Sequence, residues 1–227
     1  MLQRTLEPER MDGPGEAQAY DAMDHTEVNR RFVDDLLTAW PLESPDQQEW
    51  IDVLDLGTGT ARIPLELCQR VESVRVMAAD AAVGMLEQAR LNIEIAGLTE
   101  RIQLDQIDAR QLRYQDGQFD AVICNSLIHH LADPAPVIAE AIRVTKPGGV
   151  LFFRDLLRPP DEAALARLVH QYAGDEQPPQ RKLLRESLHA ALTLQEIREL
   201  VQSQRYDPKG VRTTSDRHWS WFTRKRS

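Results

Sequence analysis

The stretch from Ile51 to Ala61, IDVLDLGTGTA, constrains this chain more than any other. Ile51, Val53, Leu54 and Leu56 form a short apolar run suited to a strand buried on both faces, and Gly57 and Gly59 then allow a tight turn and a close backbone approach to a ligand. Strand, glycine loop and helix follow in that order. The N–H groups that open such a helix lack intrahelical partners and suit a carboxylate or phosphate, while Asp55 at the strand end suits an ammonium or hydroxyl of the same ligand. A loop built this way can hold both ends of a zwitterion. A G-x-G alone also opens nicotinamide and flavin sites. Here the third small residue, Ala61, comes one place early for the dinucleotide fingerprint G-x-G-x-x-G/A.

The chain around this loop alternates strands and helices. Strands are expected over Val74–Ala79, Arg101–Gln106, Phe119–Cys124 and Val150–Phe153, and helices over Ile63–Arg70 and after Asp133-Pro134, where residues 137, 138, 141, 142 and 144 are apolar. Asp80 closes the second strand 23 residues after Gly57, where an acid in a nucleotide fold accepts hydrogen bonds from both ribose hydroxyls. Lys146-Pro147-Gly148-Gly149 reads as a sharp turn before the fifth strand. An amphipathic helix is expected over Asp24–Trp40, capped by Asp24 or Thr26, and Thr193-x-x-Glu196 is a capping box for another. Asp161–Tyr172 and Gln180–Leu192 read as two further helices, and residues 211–214 and 218–223 as a hairpin with Trp219 and Trp221 on one face. His129 and His130 are adjacent, so on a helical turn they should point apart and not face one ligand together.

D-x-G-x-G-x-[GA] around Asp55 resembles motif I of the class I S-adenosylmethionine-dependent methyltransferases, with Ala61 in place of the commoner glycine. Asp80 to Leu86 resembles that family's D-x-S-x-x-M-L, with Ala82 for the serine; Asn125 to Leu131 resembles its S-x-x-x-H-H-L, and the segment through Gly149 its V-x-K-P-G-G-x-L. The resemblance is close over roughly residues 50 to 155. It implies an α/β fold, a doubly wound Rossmann-like seven-stranded, mostly parallel sheet with an antiparallel last strand and a helical lid. It implies S-adenosyl-L-methionine as cofactor, with Asp55, Gly57 and Gly59 at the methionine portion, Asp80 at the ribose, Met85 beside the adenine, Asp108 and Ala109 on the adenine edge, Asn125 near the methyl group and Tyr20 folded over the ligand. His129 and His130 are the candidate bases, and Arg154 and Asp155 the candidate contacts for a small-molecule acceptor. Expected segments are an N-terminal helical cap (1–49), the cofactor core (50–157), a lid insertion (158–192) and a closing helix and hairpin (193–227).

Composition narrows the acceptor. With 227 residues, 42% of them hydrophobic, the chain suits one full core with a small cap, and a net charge of -9 opposes a broad phosphate-binding face, so a nucleic acid acceptor is disfavoured. Methylation of an exocyclic base nitrogen is opposed by the lack of N/D-P-P-Y after the fourth strand. Cys68 and Cys124 read as core residues and define neither a disulfide framework nor a metal site, and no metal is expected. No signal peptide or membrane span is evident, so a cytoplasmic monomer or homodimer is expected. The competing readings are a tRNA or protein methyltransferase, a nicotinamide-dependent reductase on the same sheet, and a cofactor-binding protein that transfers nothing.

Overall fold

The structure is a computed structural model that describes residues 2–7, 15–21, 26–41 and 50–226. The expected N-cap Asp24 lies outside the described residues. Seven strands form one sheet: β1 (Ile51–Leu56), β2 (Val74–Asp80), β3 (Ile102–Gln106), β4 (Phe119–Asn125), β5 (Thr145–Leu156), β6 (Val211–Thr213) and β7 (His218–Arg224), ordered β3-β2-β1-β4-β5-β7-β6. β1 runs parallel to β2 and to β4, β2 parallel to β3, and β6 antiparallel to β7 with Val211 opposite Trp221. The doubly wound, mostly parallel sheet with an antiparallel last strand is thus the observed architecture. Its strand order reverses between β1 and β4, the place where ligands collect in open α/β sheets.

The helices are α1 (Glu16–Asp21), α2 (Thr26–Ala39), α3 (Arg62–Arg70), α4 (Val83–Ile95), α5 (Ala135–Val144), α6 (Glu162–Ala173), α7 (Pro178–Ala190) and α8 (Leu194–Ser203). Pro64 sits in the first turn of α3, where no intrahelical bond is lost. The Thr193–Glu196 capping box opens α8 in both directions, side chain to backbone and back.

One expectation fails in β5. Lys146 to Gly149 belong to the strand and not to a turn before it. Gly148 takes φ +77, its N–H donates to the Lys225 carbonyl at 2.9 Å, and the Lys225 N–H returns a bond to the Gly149 carbonyl at 2.8 Å. The glycines therefore bend the strand without breaking its ladder.

The chain divides into two compact units. One takes residues 10–125, 136–153 and 222–227; the other takes 1–9, 126–135 and 154–221. The core of the first packs Phe32, Val33 and Leu36 of α2 with Val53, Val76, Ala121, Ile123 and Phe152 of the strands. In the second, Leu165 of α6, Leu188 of α7, Ala191 and Leu156 form a separate cluster, joined by the partly buried Leu2. The segment 158–192 is thus a packed helical pair with its own apolar core, and the N-terminal residues 2–7 share its unit.

Candidate functional site

In the first unit the glycine loop leaves β1 with three residues in the left-handed region, Gly57 at φ 70, Gly59 at φ 55 and Ala61 at φ 62. Gly57 and Thr58 N–H both donate to the Ala79 carbonyl at 2.9 and 3.0 Å, and Gly59 N–H donates to Asp80 Oδ2 at 2.8 Å. Ala82 N–H donates to the other oxygen, Asp80 Oδ1, at 2.9 Å. These bonds tie the loop to the end of β2. The N–H groups of Gly57, Thr58 and Gly59 are thus engaged within the protein. Both Asp80 oxygens are thereby fixed at the end of β2.

Asp55 is buried beside this loop. Burial pushes its carboxyl up to about 7; the Thr58 hydroxyl opposes the shift and Asp80 adds to it. A buried acid at such a value answers strongly to a cation, because an ammonium beside it favours the charged form. Asn125 Oδ1 is buried and accepts no hydrogen bond among the described residues. Such an oxygen is costly unless something polar meets it, and its presence at the end of β4 fits a polar ligand there.

Tyr20 of α1 lies over the loop, with its Cε1 4.0 Å from where a Cβ on Gly59 would stand. It packs with Ala17, Ala82 and Met85 in a small apolar cluster. Asp21 locks α1 in place through a forked pair with Arg62 at 2.8 and 2.6 Å and a bond from Asn92 Nδ2 at 3.1 Å; Asn92 also donates to the Thr60 carbonyl at 3.0 Å. Asp21, Arg62 and Asn92 were not legible as a group from the sequence, where they are spread over three helices. Asp108 stands in an exposed forked pair with Arg110, 3.0 Å from Nε and 2.8 Å from Nη2, and caps the Arg110 N–H at 2.9 Å. Ala109 follows in the same turn.

In the second unit a 3-10 turn, Ile128–His130, carries the two histidines. Both face one carboxylate, contrary to the sequence expectation: Glu7 Oε1 lies 3.2 Å from His129 Nε2 and 3.1 Å from His130 Nδ1. The rings stack at 4.1 Å with an interplanar angle of 34°. They converge because His129 presents its far nitrogen and His130 its near one, so different reach offsets different direction. Behind His129, Asp155 Oδ1 is 2.5 Å from Nδ1 and Oδ2 accepts the His129 N–H at 3.1 Å. Burial alone favours a neutral ring, but Asp155 and Glu7 outweigh it and hold His129 at about 9. Both carboxyls fall below the usual range against their own burial, drawn down chiefly by His129. Arg4 fixes the N-terminal segment, donating to the carbonyls of Ala190, His129 and Leu131 at 2.7, 3.2 and 2.9 Å. Arg154 is also buried and donates to Ser220 Oγ at 2.9 Å. Arg158 pairs with Glu196 and Arg185 with Glu162. Arg154 and Asp155 thus engage the protein's own side chains. Glu7 had carried no functional expectation, since nothing local in the sequence announces a contact across 122 positions.

A model of the methyltransferase domain matches residues 54–153. The chain is 38% identical over 111 residues to a demethylmenaquinone methyltransferase of Thermus thermophilus, covering 49% of this chain and 50% of that one. It is 30% identical over 139 residues to the 27-O-demethylrifamycin SV methyltransferase of Amycolatopsis mediterranei, covering 61% and 49%. The aligned part thus spans about half the length of these curated relatives. A solved Methanococcus maripaludis structure has the same fold, with a TM-score of 0.73 at 16% identity and 98% of each chain covered. With the acid-flanked glycine loop, the Asp80 anchor and the strand order already established, residues 54–153 are a methyltransferase domain.

Proposed function

We propose that this chain transfers a methyl group from S-adenosylmethionine to a small-molecule acceptor. The bound cofactor supplies a methyl group on a sulfonium: its bond to sulfur breaks as the bond to the acceptor forms, sulfur keeps the electron pair and the acceptor gives up a proton. The protein's task is to align the acceptor and exclude water. Asp55 with Gly57 and Gly59 holds the methionine portion, Asp80 the ribose, and Tyr20 and Met85 cover the ligand from the α1 side. Asp108 and Ala109 meet the adenine edge, which requires Arg110 to share or release the Asp108 carboxylate. Asn125 offers its buried oxygen to polar atoms near the methyl group.

The observation that carries this reading is the Gly59 N–H to Asp80 bond at 2.8 Å, which makes the methionine loop and the ribose carboxylate one rigid piece. We assign His129 and His130 no proton-abstracting role. Carboxylates of the protein itself occupy both rings, so the acceptor is one that ionises readily or reacts as a soft nucleophile. Arg154 and Asp155 act as positioning groups, Arg154 on Ser220 and Asp155 on His129. The names of the relatives suggest a quinone-like or polyketide-like acceptor.

Two experiments test the proposal. Calorimetry should show S-adenosylhomocysteine binding and no comparable binding of NAD; preference for NAD would make the chain a reductase. Mass spectrometry should then find a methylated product among hydroxylated naphthoquinones and phenolic polyketides. Methylation of tRNA or of protein extracts alone would overturn the acceptor class, and tight cofactor binding with no product from any acceptor would overturn the transfer itself.

A further inference from the structure

We propose that Glu7, His129 and His130 bind one divalent transition-metal cation of the zinc type. This inference goes beyond methyl transfer and does not rest on it. One ligand atom from each residue lies within 4.8 Å of the others. The two shorter separations, 3.2 Å from Glu7 Oε1 to His129 Nε2 and 3.1 Å to His130 Nδ1, approach the spacing of about 3.3 Å between ligands that share a tetrahedral cation at roughly 2.0–2.1 Å. Glu7 Oε1 is buried and makes no well-aligned hydrogen bond among the described residues.

The outer contacts of the cluster match those of a metal site. A ligating imidazole ordinarily gives its second nitrogen to a carboxylate that fixes the ring, and Asp155 occupies that place on His129 Nδ1 at 2.5 Å. Ser187 Oγ donates to the other Glu7 oxygen at 3.2 Å. Leu2 N–H on the Pro160 carbonyl, Thr5 N–H on the His189 carbonyl and the three Arg4 bonds hold the segment that presents Glu7. Two imidazoles and one carboxylate favour zinc, cobalt or iron over magnesium and calcium, which prefer all-oxygen sets. Three protein ligands leave a position open for water or for an oxygen of a small molecule. Bound there, the cation also ties residues 2–7 to the turn after β4.

The test uses untagged, full-length protein treated with a chelator and titrated with Co2+, then Zn2+. The expected result is one Co2+ per chain with visible d–d absorption and no thiolate band, displacement by Zn2+, and a rise in Tm on Zn2+ addition. Glu7→Gln and His130→Ala should each weaken Co2+ binding at least tenfold with the circular dichroism spectrum retained, and His170→Ala should leave it unchanged. Ser187→Ala, which removes only the hydroxyl behind Glu7, should weaken binding by about 10-fold, the lower end of the range for outer contacts. Failure to take up stoichiometric Co2+, equal affinity in the Glu7 and His130 variants, or displacement of Co2+ by Mg2+ would overturn the proposal.

Discussion

Asp55 shows how a single residue carries cost and function together. Its folded value of about 7 lies above the ordinary aspartate value of 3.8, so the native state holds a proton that the unfolded chain has lost between these limits. Stability therefore falls as pH rises through that window, and the penalty is complete above about 7. Asp55→Asn should be more stable than the parent above pH 7, by about 1–4 kcal/mol, with the advantage shrinking towards pH 4. The same variant should bind S-adenosylhomocysteine more weakly, because the neutral amide offers an ammonium no charge. Denaturation curves from pH 4 to 8 check the first outcome; a stability difference independent of pH would contradict it. Gly149 gives a second residue-scale prediction. A Cβ there would stand 2.8 Å from the Asp120 carbonyl oxygen and 2.9 Å from that of Lys146, both backbone atoms that cannot swing away. Gly149→Ala should cost about 1–3 kcal/mol in chemical denaturation. Asp80 and the glycines were legible in the sequence because strand–loop–helix chemistry fixes their spacing locally. Glu7 was not, since a charge in a proline- and acid-rich leader looks solvated until the chain folds back on His129.

At the scale of elements, α1 is the piece whose placement the sequence left open. Tyr20 had been an expected cover for the cofactor, but what pins it is the neighbouring Asp21, bound to Arg62 of α3 and Asn92 of α4. A helix of six residues has no stability of its own, so these side-chain bonds carry its position. Asn92→Ala leaves the Asp21 carboxylate and the Thr60 carbonyl short of a donor and should cost about 1–3 kcal/mol. Hydrogen exchange should quicken over 15–21 in that variant while β1 and β4 stay protected. Uniform protection across α1 would show that the Asn92 bonds do not hold it. The strands were readable from their apolar runs. The start of β5 was not, because Pro147-Gly148-Gly149 has the composition of a turn, and pairing with the distant segment at Lys225 helps keep it in the sheet. The histidine pair was misread for a similar reason: helical direction predicts where Cβ points, not which ring nitrogen reaches a shared partner.

For the whole molecule, the charge of -9 and the sheet order set different limits. The charge opposes a polyanion, so filter binding to tRNA at low salt should be weak and should vanish with added salt. Specific binding that survives physiological salt would contradict the small-molecule reading. The doubly wound sheet with its antiparallel last strand was legible through the family resemblance, whereas the grouping of residues 2–7 with 126–135 and 154–221 depends on long-range contacts that no local pattern encodes. The central claim is that one loop and the carboxylate bonded to it recognise S-adenosylmethionine. The most direct measurement is calorimetric affinity for S-adenosylhomocysteine in the parent chain and in Asp80→Ala. Loss of hydrogen bonds to a charged group, about 1.5–3 kcal/mol each, predicts a fall of roughly tenfold to several hundredfold with the fold intact; undiminished affinity in Asp80→Ala would contradict the account.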